Sequence, residues 1–363
     1  MTYAPAAIAA PVTDLVRSRM TLRSLTSVLL LAALLAGCAP FVQAQDAAAG
    51  AFARMGFDAR GMALGNALGA SDTPNVSPYY NPALAPEATE QTLTATVGLL
   101  SFDRQFQSLQ FGTPLGPTAG VSLGLIRAGV DDIDGRDSNG NRTETLSTDE
   151  FALFLAFGNR FAERVSVGAS LKLFQANYLE DVDNPLGFGL DLGVTYDVNE
   201  RSSVSFVMSD LLAKYEWNTS AQGGRTNTDR FPVRLRLAGR YGFLTDGRLN
   251  VLVEYESRFT RREQRERVPA FSGGAPASQF RTESLLLHRS GGRVGVSYPL
   301  AEILEVRGGL DRIGVDGTDG LRPSAGFGVR ESIGELDLEV SYALVLEPYV
   351  ADAANFLSVR MHF

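Results

Sequence analysis

From about residue 91 to the last residue, apolar and polar side chains alternate at every second position. "RVSVGASLKLF" sets Val165, Val167, Ala169, Leu171 and Leu173 against Ser166, Gly168, Ser170 and Lys172. "FPVRLRLAGRYGF" sets Val233, Leu235, Leu237 and Tyr241 against Arg234, Arg236 and Arg240. "ELDLEVSYALVLE" sets Leu336, Leu338, Val340, Tyr342 and Leu344 against Asp337, Glu339 and Ser341. The final "FLSVRMHF" does the same, with Leu357, Val359, Met361 and Phe363 opposing Ser358, Arg360 and His362. A period of two is the signature of a strand with unlike faces. No helical stripe interrupts it. Fourteen strands are expected, near 91–102, 104–112, 118–129, 148–158, 163–177, 187–198, 202–212, 231–242, 248–259, 284–298, 303–312, 322–333, 335–346 and 354–363.

The connections alternate in length. Long polar loops are expected at 130–147, 178–186, 213–230 and 260–283, and tight turns at 159–162, 199–201, 243–247, 299–302 and 333–335. Transmembrane barrels have this asymmetry, with short periplasmic turns and longer outer loops. A second regularity is independent of loop length. Strands descending to the periplasmic side end their apolar faces on Phe111, Phe157, Tyr196, Tyr241, Tyr298 and Phe363, and only the strand ending at Ile333 lacks a ring there. Such rings suit a girdle at one membrane boundary; Tyr178, Tyr215, Trp217 and Phe259 are candidates for the other. A soluble β-sandwich would also alternate, but strand number, loop asymmetry and the aromatic row together favour an all-β transmembrane antiparallel barrel. Its last strand would be paired on both edges and need not fray.

The amino terminus reads as a targeting segment. Arg17, Arg19 and Arg23 precede "SVLLLAALLAG", an apolar run too short to span a bilayer as a helix but suited to a secretory signal. Cleavage after Ala44 is favoured; "LAGC" ending at Cys38 is a competing lipoprotein site. Cys38 is the only cysteine, so a chain cleaved after Ala44 carries neither disulfide nor thiolate metal site. The formal net charge of −8 argues against a nucleic-acid partner. Three divisions are expected: a signal peptide at 1–44, an N-terminal plug at 45–90 and the barrel at 91–363. The plug expectation rests on width. Fourteen strands enclose more space than their own side chains fill, and the Gly-, Ala- and Pro-rich segment 45–90 lacks the alternation of a wall strand.

That segment, "ARGMALGNALGASDTPNVSPYYNPALA", resembles the N-terminal signature of the PorV/PorQ family of outer-membrane proteins. The match falls on Ala59, Arg60, Gly65, Ala67, Ala70, Asp72, Tyr79, Tyr80, Asn81, Pro82 and Ala83. Asn66 stands where the family often has a second glycine. A more distant resemblance is to FadL/TodX-like transporters. The resemblance implies a barrel in the outer membrane of a Gram-negative cell, assembled there by the barrel assembly machinery and surrounded by outer-membrane lipid. It implies a non-enzymatic role in transport, or as a carrier of secreted cargo proteins in type IX secretion. The alternative is a FadL-like channel for hydrophobic small molecules.

Chemistry-bearing side chains are few. Neither His288 nor His362 has a neighbourhood suited to acid–base catalysis, so no catalytic residue, cofactor or metal site is assigned. Asp131, Asp132, Asp134 and Asp137 lie in an Asp- and Asn-rich loop, but the register from Asp137 puts Arg142 and Thr148 where a calcium loop needs Gly and Glu. Arg258, Arg261, Arg262, Arg265 and Arg267 form a basic run suited to phosphates or to solvent. Lys172, Arg234, Arg236, Arg240, Asp191, Asp337 and Glu339 share the polar parity of their strands and are expected to face the lumen in mutual pairs.

Overall fold

A computed structural model describes residues 49–71, 76–178, 184–219, 225–244, 247–272, 275–314, 320–334, 336–348 and 352–363, with the side chains of 218–219, 225–227 and 262–282 outside that description. The expected signal peptide, its cleavage sites, Asp72 and the side chains of Arg262, Arg265 and Arg267 lie outside the described residues.

The strands are β1 (Thr92–Leu99), β2 (Arg104–Leu115), β3 (Ala119–Arg136), β4 (Arg142–Ala162), β5 (Val165–Asn177), β6 (Leu186–Asn199), β7 (Ser202–Leu211), β8 (Lys214–Thr219), β9 (Arg225–Arg230), β10 (Val233–Phe243), β11 (Leu249–Ser272), β12 (Ala275–Pro299), β13 (Leu304–Ile313), β14 (Arg322–Ile333), β15 (Leu336–Leu346) and β16 (Ala353–His362). Fourteen of them form one closed antiparallel barrel, in which β7 pairs with β10 and β1 pairs with β16. The remaining two, β8 and β9, make a separate hairpin.

Alternation becomes two surfaces once the sheet closes. Outward positions such as Leu109, Leu123, Leu155, Leu171, Leu173, Phe188 and Leu357 are exposed, whereas their neighbours Ser108, Ser122, Ala156, Ser170, Lys172 and Ser358 are buried. An oily outer band with every wall strand paired satisfies the backbone at membrane depth. The chain is a closed β-barrel with the outward surface of a membrane-spanning one.

Three expected loops are corrected. Residues 213–230 contain the β8–β9 hairpin. The span 260–283 is largely a two-stranded ribbon, paired from Thr260 with Leu287 out to Ser272 with Ala275. The 130–147 loop is a continuation of β3 and β4, with Ile133 paired to Leu146. Beyond the membrane both faces of a ribbon meet water, so no one-sided pattern marks it in sequence.

Residues 49–71 and 76–87 lie within the ring. They carry short 3-10 turns at Phe52–Arg54 and Pro82–Glu87 and one short helix, α1 (Ala59–Ala63). The backbone polar groups of this segment find partners on wall side chains. The N–H of Ala59 donates to Ser358 Oγ at 2.8 Å and that of Gly69 to Glu254 at 3.1 Å. Carbonyls of Phe57, Ala63 and Gly69 accept from Ser108, Ser324 and Ser205. Partners on β16, β11, β2, β14 and β7 surround the segment.

Candidate functional site

The luminal segment sits against the wall on two seats built from glycine. On one side Gly120, Gly158, Gly168 and Gly193 are successive cross-strand partners on β3, β4, β5 and β6. A Cβ on Gly120 would lie 2.0 Å from the Ala85 carbonyl oxygen, and one on Gly168 would lie 2.3 Å from the Pro82 carbonyl carbon. Those on Gly158 and Gly193 would meet Pro82 O and Asn81 Oδ1. The turn Pro82–Glu87 therefore occupies the space of four missing side chains. On the other side Gly295 and Gly309, paired across β12 and β13, receive Leu64 and Gly65 in the same way.

Asn81 holds the first seat. Its Oδ1 accepts from the N–H of Ala83 at 3.0 Å, capping the turn that Pro82 opens. Its Nδ2 donates to Gly69 O at 2.7 Å and to Thr195 Oγ1 at 3.0 Å. Tyr80 accepts from the N–H of Phe57 at 2.9 Å and donates to Asn66 Oδ1 at 3.2 Å. Gly65 and Asn66 both have positive φ, 61° and 60°. Asn is among the non-glycine residues that tolerate this region best, which gives the departure at Asn66 a local reason.

Charge lines the lumen from β5 round to β15. Lys172 pairs with Asp191 at 2.6 Å and Asp210 at 3.3 Å. Arg234 continues the chain to Asp210 at 2.8 Å and Glu256 at 3.7 Å. Arg293 meets Glu254 at 2.6 Å, Glu256 at 3.0 Å and Asp311 at 2.9 Å, while Arg236 reaches Glu254 at 3.5 Å. Lower down, Arg307 bridges Glu305 at 2.7 Å and Glu339 at 3.0 Å. Several wall groups reach the luminal segment: Glu305 holds Arg60 at 2.9 Å with Glu339 at 3.8 Å, Arg236 donates to the Tyr80 carbonyl, and Arg360 holds Asp58 at 3.1 Å. Buried charges must be paired and hydrogen-bonded, and sharing each carboxylate among several cations achieves it.

The outer part of the lumen is aromatic. Phe57, Tyr79 and Phe154 meet with ring centroids 5.2 to 5.4 Å apart. Phe52 contacts Phe174, which packs on Phe231 at 4.6 Å. Phe231 meets Tyr215 at 5.0 Å, Tyr215 meets Trp217 at 5.6 Å, and Trp217 stacks on the half-buried Tyr178 at 5.4 Å. All these rings belong to or pack against one hydrophobic cluster. A cleft lined by Asp58, Thr94 and Arg360 is about 10 Å³, room for a single water.

The structure places the expected residues as follows. Ala59, Arg60, Gly65, Tyr80, Asn81 and Pro82 are buried in the luminal segment. Phe111, Phe157, Tyr196 and Phe363 are exposed on the outside, and Tyr241 and Tyr298 are half-exposed there. Lys172, Arg234, Arg236, Arg240, Asp191 and Glu339 are buried inside the ring. Asp337 is not enclosed; it lies partly exposed near the end of β15 and meets Arg330 at 3.4 Å. Tyr215 and Trp217 do not join an outer girdle, because the β8–β9 hairpin turns them onto the luminal cluster. Asp134 is engaged by Arg136 and Arg142 and Asp137 by Asn141, and among the described residues no acidic group is arranged to hold a metal. Sequence reasoning passed over Glu254, Glu256, Arg293 and Arg307, although their parity with lumen-facing neighbours marks them. Asp210 breaks parity at a left-handed bulge, with φ of 60°, and carries no such mark.

No family model matches the chain, and no curated protein matches it. Solved structures do. The Pseudomonas putida toluene transporter TodX superimposes with a TM-score of 0.54 at 13% identity, over 84% of this chain and 96% of that one. The CymD monoaromatic hydrocarbon channel gives 0.54 at 14% identity over 85% and 98%. A Pseudomonas aeruginosa FadL homologue gives 0.53 at 12% identity over 85% and 98%. The chain has the fold of these FadL-type barrels. The finer resemblance to PorV/PorQ proteins has no counterpart in these three structures.

Proposed function

We propose that the protein is a plugged outer-membrane channel for hydrophobic, ring-bearing small molecules, with residues 45–90 as its plug. The observation that carries this reading is the series of rings from Tyr178 and Trp217 at the outer hairpin, through Tyr215, Phe231 and Phe174, to Phe52 on the plug. A guest ring exchanges edge and face contacts with these rings one at a time, at little cost per step. Among the described residues these rings pack against one another, so passage along them requires plug side chains, Phe52 first, to give way. The fold likeness to a toluene transporter and a monoaromatic hydrocarbon channel supports the reading.

Uptake of radiolabelled toluene by intact cells expressing the chain tests it. Expression is expected to raise uptake, and Trp217→Ala with Phe231→Ala to lower the increment roughly 2- to 10-fold for each ring removed. Uptake equal to that of cells lacking the protein overturns the reading. The runner-up is a PorV/PorQ-type, secretion-associated carrier. One observation favours it: the β11–β12 ribbon runs past the last β10 pair at Phe259 and presents long unpaired edges, which are templates for strand addition. Purification of the native protein with a stoichiometric secreted protein would move the assignment there.

A further inference from the structure

The barrel has one junction that no chain connection spans locally, the seam between β1 and β16. Along it the alternation specifies register weakly. The lumen face of β1 carries Thr92, Thr94 and Thr96, and the lipid face Leu93, Ala95 and Val97. A slip of two residues keeps every apolar side chain outside and replaces one threonine by another. The hydrophobic pattern cannot choose between those registers.

The luminal segment can. Ser358 on β16 meets Thr96 of β1 at 2.9 Å and at the same time accepts the N–H of Ala59 at 2.8 Å. Two residues further along β16, Arg360 donates to Thr94 at 2.9 Å and to the Asp58 carboxylate at 3.1 Å. The other oxygen of Asp58 caps helix α1 by accepting from Gly61 at 2.8 Å. Each rung of the seam is thus a three-way contact of β1, β16 and the step Asp58–Ala59. All six residues are buried.

We propose that docking of the Asp58–Ala59 step selects the register in which β1 closes on β16, so that the plug is part of the closing seam. The step fixes Ser358 and Arg360 on β16, while the adjoining Phe57 carbonyl accepts from Ser108 on β2, the cross-strand partner of Thr96 on β1; one short stretch of chain therefore holds both sides of the seam at the observed register. Gly98, which lies under the ring of Phe356, is a competing register pin: a Cβ there would come within 2.4 Å of that ring.

Disulfide trapping in the full chain decides between them. In a Cys38→Ser background, Ala95→Cys with Val359→Cys reports the observed register, since those residues are partners. Val97→Cys or Leu93→Cys with Val359→Cys reports a slip in either direction. The wild-type plug is expected to give only the first product. Asp58→Ala is expected to raise a slipped product several-fold at the expense of the native one, while Glu305→Gln, which weakens the plug's Arg60 contact to β13 and keeps the Asp58 and Ala59 contacts to β16, leaves the pattern unchanged. Unaltered trapping in Asp58→Ala, slippage in both variants, or slippage only in Gly98→Ala overturns the proposal. Should Asp58→Ala yield no folded barrel, Asp58→Asn keeps the helix cap, loses the charge and is read by the same criteria.

Discussion

The two sides of the lumen hold the same segment by opposite means. Along β3 to β6 the wall offers absent side chains, and Pro82–Glu87 fits a row of four glycines by shape. Along β10 to β13 glycine supplies only the Gly295–Gly309 seat, and the rest of the wall is crowded with arginines and carboxylates that satisfy one another and lend a few atoms to the segment. The first contact tolerates no added atom and is indifferent to ionisation. The second tolerates shape changes at the tips of long side chains, but no loss of charge balance. A wide barrel is filled both by bringing backbone into the wall and by reaching out from it.

The comparison is most open to attack at Arg293. Arg293→Met removes the one guanidinium shared by Glu254, Glu256 and Asp311, all buried, and leaves more negative than positive charge among them. Breaking such a pair costs about 3–5 kcal/mol, to be read as a lower urea midpoint for the gel-mobility transition of the folded barrel. A variant as stable as wild type would mean that water reaches this wall. Next is Gly168→Val, which drives a side chain into the Pro82 carbonyl. Overpacking of this kind costs about 1–3 kcal/mol, and the loss is expected to be the same from pH 5 to pH 8. A neutral result would show that the glycine row is not a seat.

The smallest effect lies outside the membrane, where neither device operates. In the β3–β4 tip the Asn141 amide, with the N–H groups of Asn141 and Asn139, holds the Asp137 carboxyl below its ordinary range. A depressed carboxyl stabilises the tip above about pH 4 and loses that contribution as pH falls through its folded value. Amide protection at Asn139 and Asn141 is expected to drop below about pH 4 while that of β5 and β6 holds. Simultaneous loss in wall and tip would show that the tip is not an independent ionic element.

Much of the wall was legible because a membrane imposes a binary choice on every second residue. All fourteen wall strands fall near their expected places, and the closing strand places Ser358 and Arg360 inside and Leu357 outside as its alternation requires. The lumen was less legible. Parity marks which side chains face inward but not which of them meet, so the chain from Lys172 through Asp210, Arg234 and Glu256 to Arg293 could not be read. The glycine row was invisible for the same reason: four glycines spread from 120 to 193 become neighbours only through strand register.

The sequence by itself determined a closed, lipid-facing sheet, since alternation and tight turns are local and each strand carries its own instruction. Only the tertiary structure decided how the interior is filled. Ring stacks, shared carboxylates and missing side chains act between residues far apart along the chain, and their energies depend on neighbours that meet only once the barrel has closed around the luminal segment.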